Sequence, residues 1–367
     1  MQDFLNSTNF TQIFIALILI KFLLETYLKI RNLKSIDNNK ASVPPRFKDV
    51  VTDEEYKKSI LYNTDRIKFQ IFTALFGSVV LVIFTIGGLL NYLTEVVMDI
   101  TSSNVLGAVL LGLLLIIVEE IISIPISIYS TFVIEERHGF NKTTKKTFVT
   151  DIFKSLFISG AISSILYATV IFIIISAGDL WWIYAFAAVF TLQAIIFFLY
   201  PVLIMPLFNK FEPLDDEQFK KPIEKLLEKV DFKSKGLFVM NASLRSTHGN
   251  AFFTGFGKNK RIVFFDTLLK TINPDEMEAI LGHELGHYKL GHIRKTLISS
   301  LVFGFLGFYI LNEIFKSDNF FIAHGLENLT VYSKFLMFYL VIGSYTFFTK
   351  PITSALSRKR EFEADDF

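Results

Sequence analysis

Two histidines and a glutamate in the segment 281–292 (LGHELGHYKLGH) have the types and the spacing needed to bind a metal ion and to use it. On an α-helix, residues four apart project from nearly the same face, so the imidazoles of His283 and His287 can converge on one ion. Two neutral imidazoles at this spacing are typical ligands of Zn²⁺, and Glu284 lies beside them, within reach of a water molecule on the ion. This pattern, HExxH (residues 283–287), predicts a hydrolytic zinc site with Glu284 as general base. The alternative interpretation is a polar helix face that binds no metal.

A catalytic zinc site also needs a third protein ligand beside an open position. The segment 357–367 (SRKREFEADDF) follows the last apolar run and is the candidate source of that ligand. If it is helical, Glu361 and Asp365 share a face, while Glu363 points the other way. Glu361 is then the candidate ligand, and Asp365 is placed to orient an imidazole or to donate a proton. The alternative is an ordinary charged helix next to the membrane.

His292 is not expected to bind the same ion. It follows His283 by nine residues, which corresponds to about half a turn around a continuous helix. The metzincin spacing would require glycine and histidine where this chain has Leu290 and Ile293. We therefore expect His292 to be a surface residue or a group that lies behind the ligands.

The element that positions the histidines has a marked beginning. Asn273 suits the N-cap of a helix, Pro274 its first turn and Glu276 the capping-box position. The helix belongs to a stretch of mixed polarity, residues 206–295. There, residues 216–230 have helical spacing and three apolar runs are predicted strands, the last two joined through GKNK as a hairpin: 235–240, 250–256 and 261–265.

Outside that stretch, the composition is typical of a membrane protein. The chain has 367 residues, of which 51% are hydrophobic and 41 are phenylalanine. A helix crosses the hydrocarbon core with roughly 20 residues, and only helices satisfy the backbone at such lengths. Seven apolar runs are predicted to span the membrane: 4–30, 69–94, 101–134, 155–178, 180–209, 296–312 and 335–349.

Basic residues between these runs predict the orientation. Ten Lys or Arg lie within 29–68 and five within 135–154, whereas the first nine residues and 91–104 contain none. The positive-inside rule places the N-terminus outside and the HExxH helix in the cytoplasm. The first apolar run lacks a basic n-region and a small-residue cleavage site, which indicates a retained span rather than a signal peptide.

Charge and cysteine usage exclude several classes of function. The net charge of +2 gives no indication of nucleic-acid binding. The chain has no cysteine, which excludes disulfides, thiolate metal sites and a cysteine nucleophile.

Glu119 and Glu120 lie in the middle of the third run and should face a water-filled interior rather than lipid. A transport pathway would satisfy that requirement as well, so a transporter with an incidental HExxH pattern stays an alternative.

Taken together, the motifs resemble the type I CAAX prenyl protease family of integral-membrane zinc metallopeptidases. HELGH is followed by a transmembrane hairpin and EFEAD, and four further stretches fit the family: IEERHGFNKTT (134–144), YPVLIMPLFNKFEPL (200–214), HGNAFFTGFG (248–257) and VFFDTLL (263–269). The resemblance implies an all-α membrane protein with a small α+β cytoplasmic catalytic insertion and seven transmembrane helices that enclose a chamber. It implies cleavage of peptide bonds near the C-terminus of substrates, which in eukaryotes are prenylated CAAX proteins.

The resemblance also assigns residues by position. It implies one Zn²⁺ per chain, held by His283, His287 and Glu361, with Glu284 as the base and Asp365 as a further acid. It also implies that NAF is an edge strand, where Asn250 and the backbone of Ala251 hold an extended substrate by β-augmentation.

The chain divides accordingly into transmembrane helices 1–5 with their loops (1–205), the zinc-peptidase region (206–295), transmembrane helices 6 and 7 (296–354) and the start of a C-terminal helix (355–367). Family members continue past this point with a segment that supplies a histidine near the oxyanion, so we expect a C-terminal truncation at Phe367.

The expected partners are a peptide or protein substrate, prenylated or membrane-associated, and the lipid bilayer, with the protein itself a monomer. The Lys-, Ile- and Phe-rich composition favours a bacterial inner membrane, and in a eukaryote the endoplasmic reticulum is expected. A catalytically silent relative that binds or clears membrane polypeptides is a further alternative.

Overall fold

The computed structural model describes residues 7–232, 234–255 and 260–367, so most of the predicted GKNK connection lies outside the described residues. Within them, the chain is mainly helical with one small sheet. The helices are α1 (Ser7–Asn39), α2 (Asp53–Phe84), α3 (Leu89–Ile100), α4 (Asn104–Tyr129), α5 (Lys145–Ser176), α6 (Trp181–Leu199), α7 (Met205–Phe208), α8 (Glu217–Lys229), α9 (Pro274–Lys289), α10 (His292–Phe315), α11 (Asp318–Ala323), α12 (Val331–Thr346) and α13 (Lys350–Asp365). The strands are β1 (Phe211–Pro213), β2 (Leu237–Met240), β3 (Ala251–Thr254) and β4 (Arg261–Phe265).

Six helical segments of the described chain are long and apolar enough to cross a membrane. They coincide with six of the seven predicted runs: Asp53–Phe84, Asn104–Glu135, Lys145–Ser176, Gly178–Phe208, His292–Phe315 and Val331–Asp365. Helix α1 covers the remaining run but is not among the six. The run 69–94 was predicted as one span, whereas α2 ends at Phe84 and Gly88, with φ of 78°, separates it from α3.

The chain forms two compact units, and the first consists of Met1–His138, Ser159–Trp182 and Ile310–Phe348. Its core is built around α4, whose glycines let aromatic rings approach the helix backbone closely. A methyl group on Gly107 would lie 2.7 Å from the ring of Tyr332, and one on Gly112 would overlap the ring of Tyr167. Glycine at these two positions therefore sets how tightly this unit packs.

A polar cavity of about 410 Å³ lies inside the first unit. Glu119 and Glu120 line it, as the sequence predicted for carboxylates in the middle of an apolar helix. Hydroxyl groups supply much of the remaining polar wall, namely those of Ser123, Ser159, Ser163, Tyr167 and Tyr339. The carboxylates thus face a polar interior.

The second unit consists of Gly139–Ile158, Ile183–Tyr309 and Thr349–Phe367 and contains the sheet, in the order β1-β2-β4-β3. Strands β3 and β4 pair antiparallel, which confirms the predicted hairpin, with Ala251 opposite Phe264. Strand β2 runs parallel to β4, and β1, which the sequence did not predict, adds an antiparallel edge. The face of α9 that carries Met277, Leu281 and Leu285 packs into the core beside this sheet.

Helix α9 begins where the sequence predicted. The side chain of Asn273 accepts the N–H of Glu276 at 3.0 Å, and the Glu276 carboxylate accepts the N–H of Asn273 at 2.8 Å. This reciprocal pair satisfies two backbone donors that the first turn would otherwise leave open. Because Met277, Leu281 and Leu285 are fully buried, the opposite side of α9, with its histidines, stays accessible.

Candidate metal centre

Helices α9 and α13 bring the three predicted ligands together. Nε2 of His283 and Nε2 of His287 are 3.2 Å apart, as expected for residues four apart on one helix. Oε2 of Glu361, from α13, lies 3.4 Å from each of these nitrogens. The three atoms form one compact group of potential ligands.

The donor set fits a zinc ion in both chemistry and spacing. Zinc binds imidazole nitrogen and carboxylate oxygen at about 2.0–2.2 Å in tetrahedral sites, which keeps ligand atoms about 3.3–3.5 Å apart. The observed separations of 3.2–3.4 Å match this spacing. All three side chains are partly exposed, which leaves room for a fourth position. The geometry therefore suits a catalytic site with three protein ligands.

Asp365 lies behind His283, one helical turn after Glu361. Its Oδ1 is 2.8 Å from Nδ1 of His283, the ring nitrogen opposite the one that faces the other two ligands. A carboxylate in this place fixes the orientation and tautomer of the ring, so that Nε2 is free to bind the ion. The structure thus brings Asp365 to the position that the sequence suggested for a residue that orients an imidazole.

His292 and Glu363 also belong to this cluster, a contact that the spacing along α13 alone does not predict. His292 is buried, with Nδ1 2.9 Å from Nδ1 of His287 and Nε2 2.9 Å from Oε2 of Glu363. The estimate of half a turn assumed one continuous helix. Instead α9 ends at Lys289, and Gly291, with φ of 68°, redirects the chain before α10 begins at His292. Glu363, which stays partly exposed, therefore points toward His292.

Glu284, the predicted base, is half-buried beside His283 on α9. Among the described residues, its carboxylate has no hydrogen-bond or ion-pair partner, unlike those of Glu363 and Asp365. A general base must keep its lone pairs available for a proton in the reacting complex. The surroundings of Glu284 meet that condition.

Strand β3 lies at an edge of the sheet, where the sequence placed a substrate-binding strand. The N–H of Phe265 donates to the carbonyl oxygen of Asn250 at 2.9 Å, so the backbone of Asn250 faces β4. Backbone groups of the next residue in an antiparallel strand point the opposite way, and Ala251 therefore faces the free edge. The side-chain oxygen of Asn250 accepts the Ala251 N–H at 2.9 Å. The methyl group of Ala251 is buried in the same core as Leu281 and Leu285, which places this edge next to α9.

Gly286 allows α13 to approach α9 closely. A methyl group on Gly286 would lie 2.9 Å from the carbonyl oxygen of Ala364 and 3.1 Å from Cβ of Phe367. Ala364 is itself buried, between Glu361 and Asp365 in the sequence. Because backbone cannot yield as a flexible side chain does, the absence of a side chain at Gly286 determines where both acidic residues lie.

Replacing Gly286 by alanine is therefore expected to push α13 away from α9 and to weaken zinc binding by about 10- to 100-fold, comparable to the loss of a residue that orients a ligand. The dissociation constant is measured by competition with a chromogenic chelator. The matched control is Gly282→Ala, one turn earlier, where a methyl group would meet nothing within 4 Å. That change should leave zinc binding intact and should favour the helix by up to about 1 kcal/mol. Equal affinities in the two variants would contradict this role of Gly286.

Comparisons with known proteins agree with this geometry. Residues 32–210 match the family described as CAAX prenyl protease N-terminal, five membrane helices, and residues 213–367 match Peptidase family M48. The CAAX prenyl protease 1 homolog of Arabidopsis thaliana is 34% identical over 98% of this chain and 86% of the relative. CAAX prenyl protease 1 of Saccharomyces cerevisiae is also 34% identical, over 95% of this chain and 82% of the relative.

A solved structure has the same fold. The crystal structure of S. mikatae Ste24p superposes with a TM-score of 0.89 at 30% sequence identity, covering 97% of this chain and 87% of that chain. The similarity extends over the membrane helices as well as the region that carries HExxH. The chain belongs to the CAAX prenyl proteases of peptidase family M48 and is a multi-pass membrane metallopeptidase.

Proposed function

We propose that this protein is a zinc metalloendopeptidase that cleaves peptide bonds near the C-terminus of membrane-associated substrates of the CAAX type. The observation that carries the proposal is the compact group formed by Nε2 of His283, Nε2 of His287 and Oε2 of Glu361. The names of the relatives, CAAX prenyl protease 1 and its homologs, support the substrate class.

Each residue of the site has a defined task in peptide hydrolysis. One zinc ion per chain, held by His283, His287 and Glu361, would polarise the scissile carbonyl and lower the pKa of water. Glu284 takes the proton from the attacking water and delivers it to the leaving amine. Asp365 accepts a hydrogen bond from Nδ1–H of His283 and keeps that ring in its binding orientation.

The free edge of β3 holds the substrate. An extended peptide pairs with the outward N–H and C=O of Ala251, and the Asn250 side chain gives up the Ala251 N–H when the peptide arrives. Backbone pairing aligns the scissile bond beside α9 without requiring particular side chains. This mode of binding suits substrates that share a position in the chain more than a sequence.

Seven helices, α1 included, cross the membrane and enclose a chamber, and the protein acts as a monomer. The support for α1 is its length of 33 residues and the exposed apolar side chains on it, among them Ile15, Leu19, Leu23 and Leu24. The catalytic unit combines the region 206–295 with the C-terminal helix that supplies Glu361. The polar cavity that Glu119 and Glu120 line within the first unit supports a water-filled interior.

The N-terminus lies outside and the catalytic site faces the cytoplasm. The fifteen Lys and Arg within 29–68 and 135–154, ten and five respectively, support this orientation. In a bacterium the protein resides in the inner membrane, and in a eukaryote it resides in the endoplasmic reticulum.

The orientation predicts the labelling of single cysteines in this cysteine-free chain. Cysteine in place of Lys225, exposed on α8, should be protected from a membrane-impermeant thiol reagent in intact cells and should react after permeabilisation. Cysteine in place of Ser102, exposed before α4, should react in intact cells. The opposite pattern would reverse the orientation.

The function itself is tested by incubating the purified, reconstituted protein with a prenylated CAAX peptide. We expect cleavage near the C-terminus of the peptide and no cleavage by His283→Ala. If neither this peptide nor an unprenylated membrane-associated peptide is cleaved by a protein that holds zinc, a silent relative that binds membrane polypeptides becomes the better description.

A further inference from the structure

Different groups lie against the Nδ1 atoms of the two histidines of the HExxH motif. Nδ1 of His283 lies against a carboxylate, that of Asp365, whereas Nδ1 of His287 lies against another imidazole, that of His292. His292 is only 3% exposed, and Glu363 lies at its far nitrogen. Both nitrogens of this buried ring therefore have partners within 3.0 Å, one a predicted zinc ligand and the other a carboxylate.

The protons can be arranged along this row in only one way when Nε2 of His287 binds a metal. The remaining nitrogen of His287, Nδ1, then carries the proton and must donate it. Nδ1 of His292 faces that proton and must accept, so the proton of His292 lies on Nε2 and is donated to Glu363. Every polar atom of the row is satisfied, and the row ends on a negative charge. His283 needs no intermediate ring, because its Nδ1–H donates directly to the carboxylate of Asp365.

We infer that His292 and Glu363 form a relay that positions His287 for zinc, the counterpart of what Asp365 does for His283. The inference rests on the proposed zinc site, because the relay acts only through a ligand of the ion. Neither residue touches the ion or the reacting atoms, so both are positioning residues. Their expected contribution is to metal affinity, where groups that orient a ligand typically count for about 10- to 100-fold.

The fold holds the relay from two sides. Gly291, in the left-handed region, turns the chain so that the first residue of α10 lies against the last turn of α9. On the other side, Arg360 donates to Oγ1 of Thr296 at 2.7 Å, and Thr296 donates to the carbonyl oxygen of His292 at 2.9 Å. These hydrogen bonds join α13 to α10 at Thr296, one helical turn after His292. The relay is thus fixed at the junction of three helices.

The test measures zinc affinity of the purified protein by chelator competition, together with the melting temperature of the metal-free form. His292→Leu leaves the Nδ1 proton of His287 without an acceptor and should weaken zinc binding by about 10- to 100-fold. His292→Asn places an amide oxygen near the former Nδ1, so it should restore much of the affinity. Glu363→Gln keeps an acceptor but removes its charge, and a smaller loss, about three- to tenfold, is expected.

A double-mutant cycle separates a relay from two independent effects. Glu363→Gln should weaken zinc binding in the wild-type background and have no further effect beside His292→Leu or His292→Asn, because Glu363 acts only through His292. Melting temperatures of the metal-free variants should stay close to that of the wild type. If His292→Leu does not fold, the comparison of Glu363→Gln with and without His292→Asn carries the test.

Two outcomes would overturn the inference. Zinc affinity unchanged in Glu363→Gln, and in His292→Leu where that variant folds, would show that the relay does not position His287, as would equal losses from Glu363→Gln in every background. His283→Ala distinguishes this failure from that of the zinc site. If His283→Ala loses zinc and the relay variants do not, only the relay is wrong, whereas wild-type zinc binding in His283→Ala overturns both.

Discussion

Replacing Glu284 by glutamine is expected to abolish peptide hydrolysis while the protein stays folded and keeps its zinc. The amide has nearly the size of the carboxylate but cannot accept a proton from water. Loss of a general base typically lowers the rate by a factor of about 10²–10⁴. Because Glu284 does not belong to the ligand group of His283, His287 and Glu361, the metal content should be unchanged. Cleavage of a prenylated CAAX peptide and elemental analysis of the same samples check both parts.

The matched control for this experiment is Glu278→Gln on the same helix. Glu278 is exposed and lies outside the cluster, so its substitution should leave the rate nearly unchanged. Glu363→Gln is not a suitable control, since Glu363 lies 2.9 Å from His292. A zinc-loaded Glu284→Gln protein that cleaves as fast as the wild type would show that another group is the base.

Removing the metal is expected to eliminate hydrolysis and to lower the melting temperature, and adding zinc should restore both. A ligand that binds only the folded state at a free concentration about 100 times its Kd adds about 2.7 kcal/mol to the free energy of unfolding. The gain should be large here because an ion held by His283, His287 and Glu361 would join α9 to α13. The measurement is thermal unfolding in detergent at increasing free zinc, with the cleavage rate followed in parallel.

His287→Ala is the control for metal-dependent stability. Without one of the imidazoles, the melting temperature should no longer respond to zinc in the same concentration range. A zinc response equal to that of the wild type would place the stabilising ion elsewhere in the chain. Full hydrolysis after exhaustive chelation would exclude a metallopeptidase mechanism for this site.

The part of the site that lies within one helix could be predicted from the sequence, because its geometry is local. The i and i+4 spacing of His283 and His287 sets their separation, and the capping box at Asn273 and Glu276 sets where the helix begins. The membrane helices were predictable for a similar reason, since apolar length is a property of the segment itself.

The residues that hold the ligands in place depend on contacts between segments distant in the sequence. The periodicity of a single segment does not predict such contacts. The sequence left open whether His292 lies at the surface or behind the ligands, and it lies behind His287 because Gly291 ends one helix and redirects the chain into the next. The spacing along α13 predicted only that Glu363 points away from Glu361 and Asp365, whereas α10 brings a buried imidazole to it. The close approach at Gly286 also appears only once α13 lies against α9.

The sheet was predictable only in part. The hairpin of β3 and β4 joins neighbouring segments, and the two apolar runs on either side of GKNK indicated it. Strand β1 has three residues and ends in Pro213, so neither its length nor its composition indicates a strand. The parallel pairing of β2 with β4 depends on the connection between them and not on either strand alone.

The zinc content of the purified protein tests the central claim most directly. Elemental analysis after dialysis should give one zinc per chain in the wild type and in Glu278→Gln, and little zinc in His283→Ala and Glu361→Ala, which each remove one atom of the group. The loss in Glu361→Ala matters most, because this residue lies far from the HExxH motif in the sequence. A wild-type protein without zinc, or zinc retained at the wild-type level in both ligand variants, would contradict the three-ligand site.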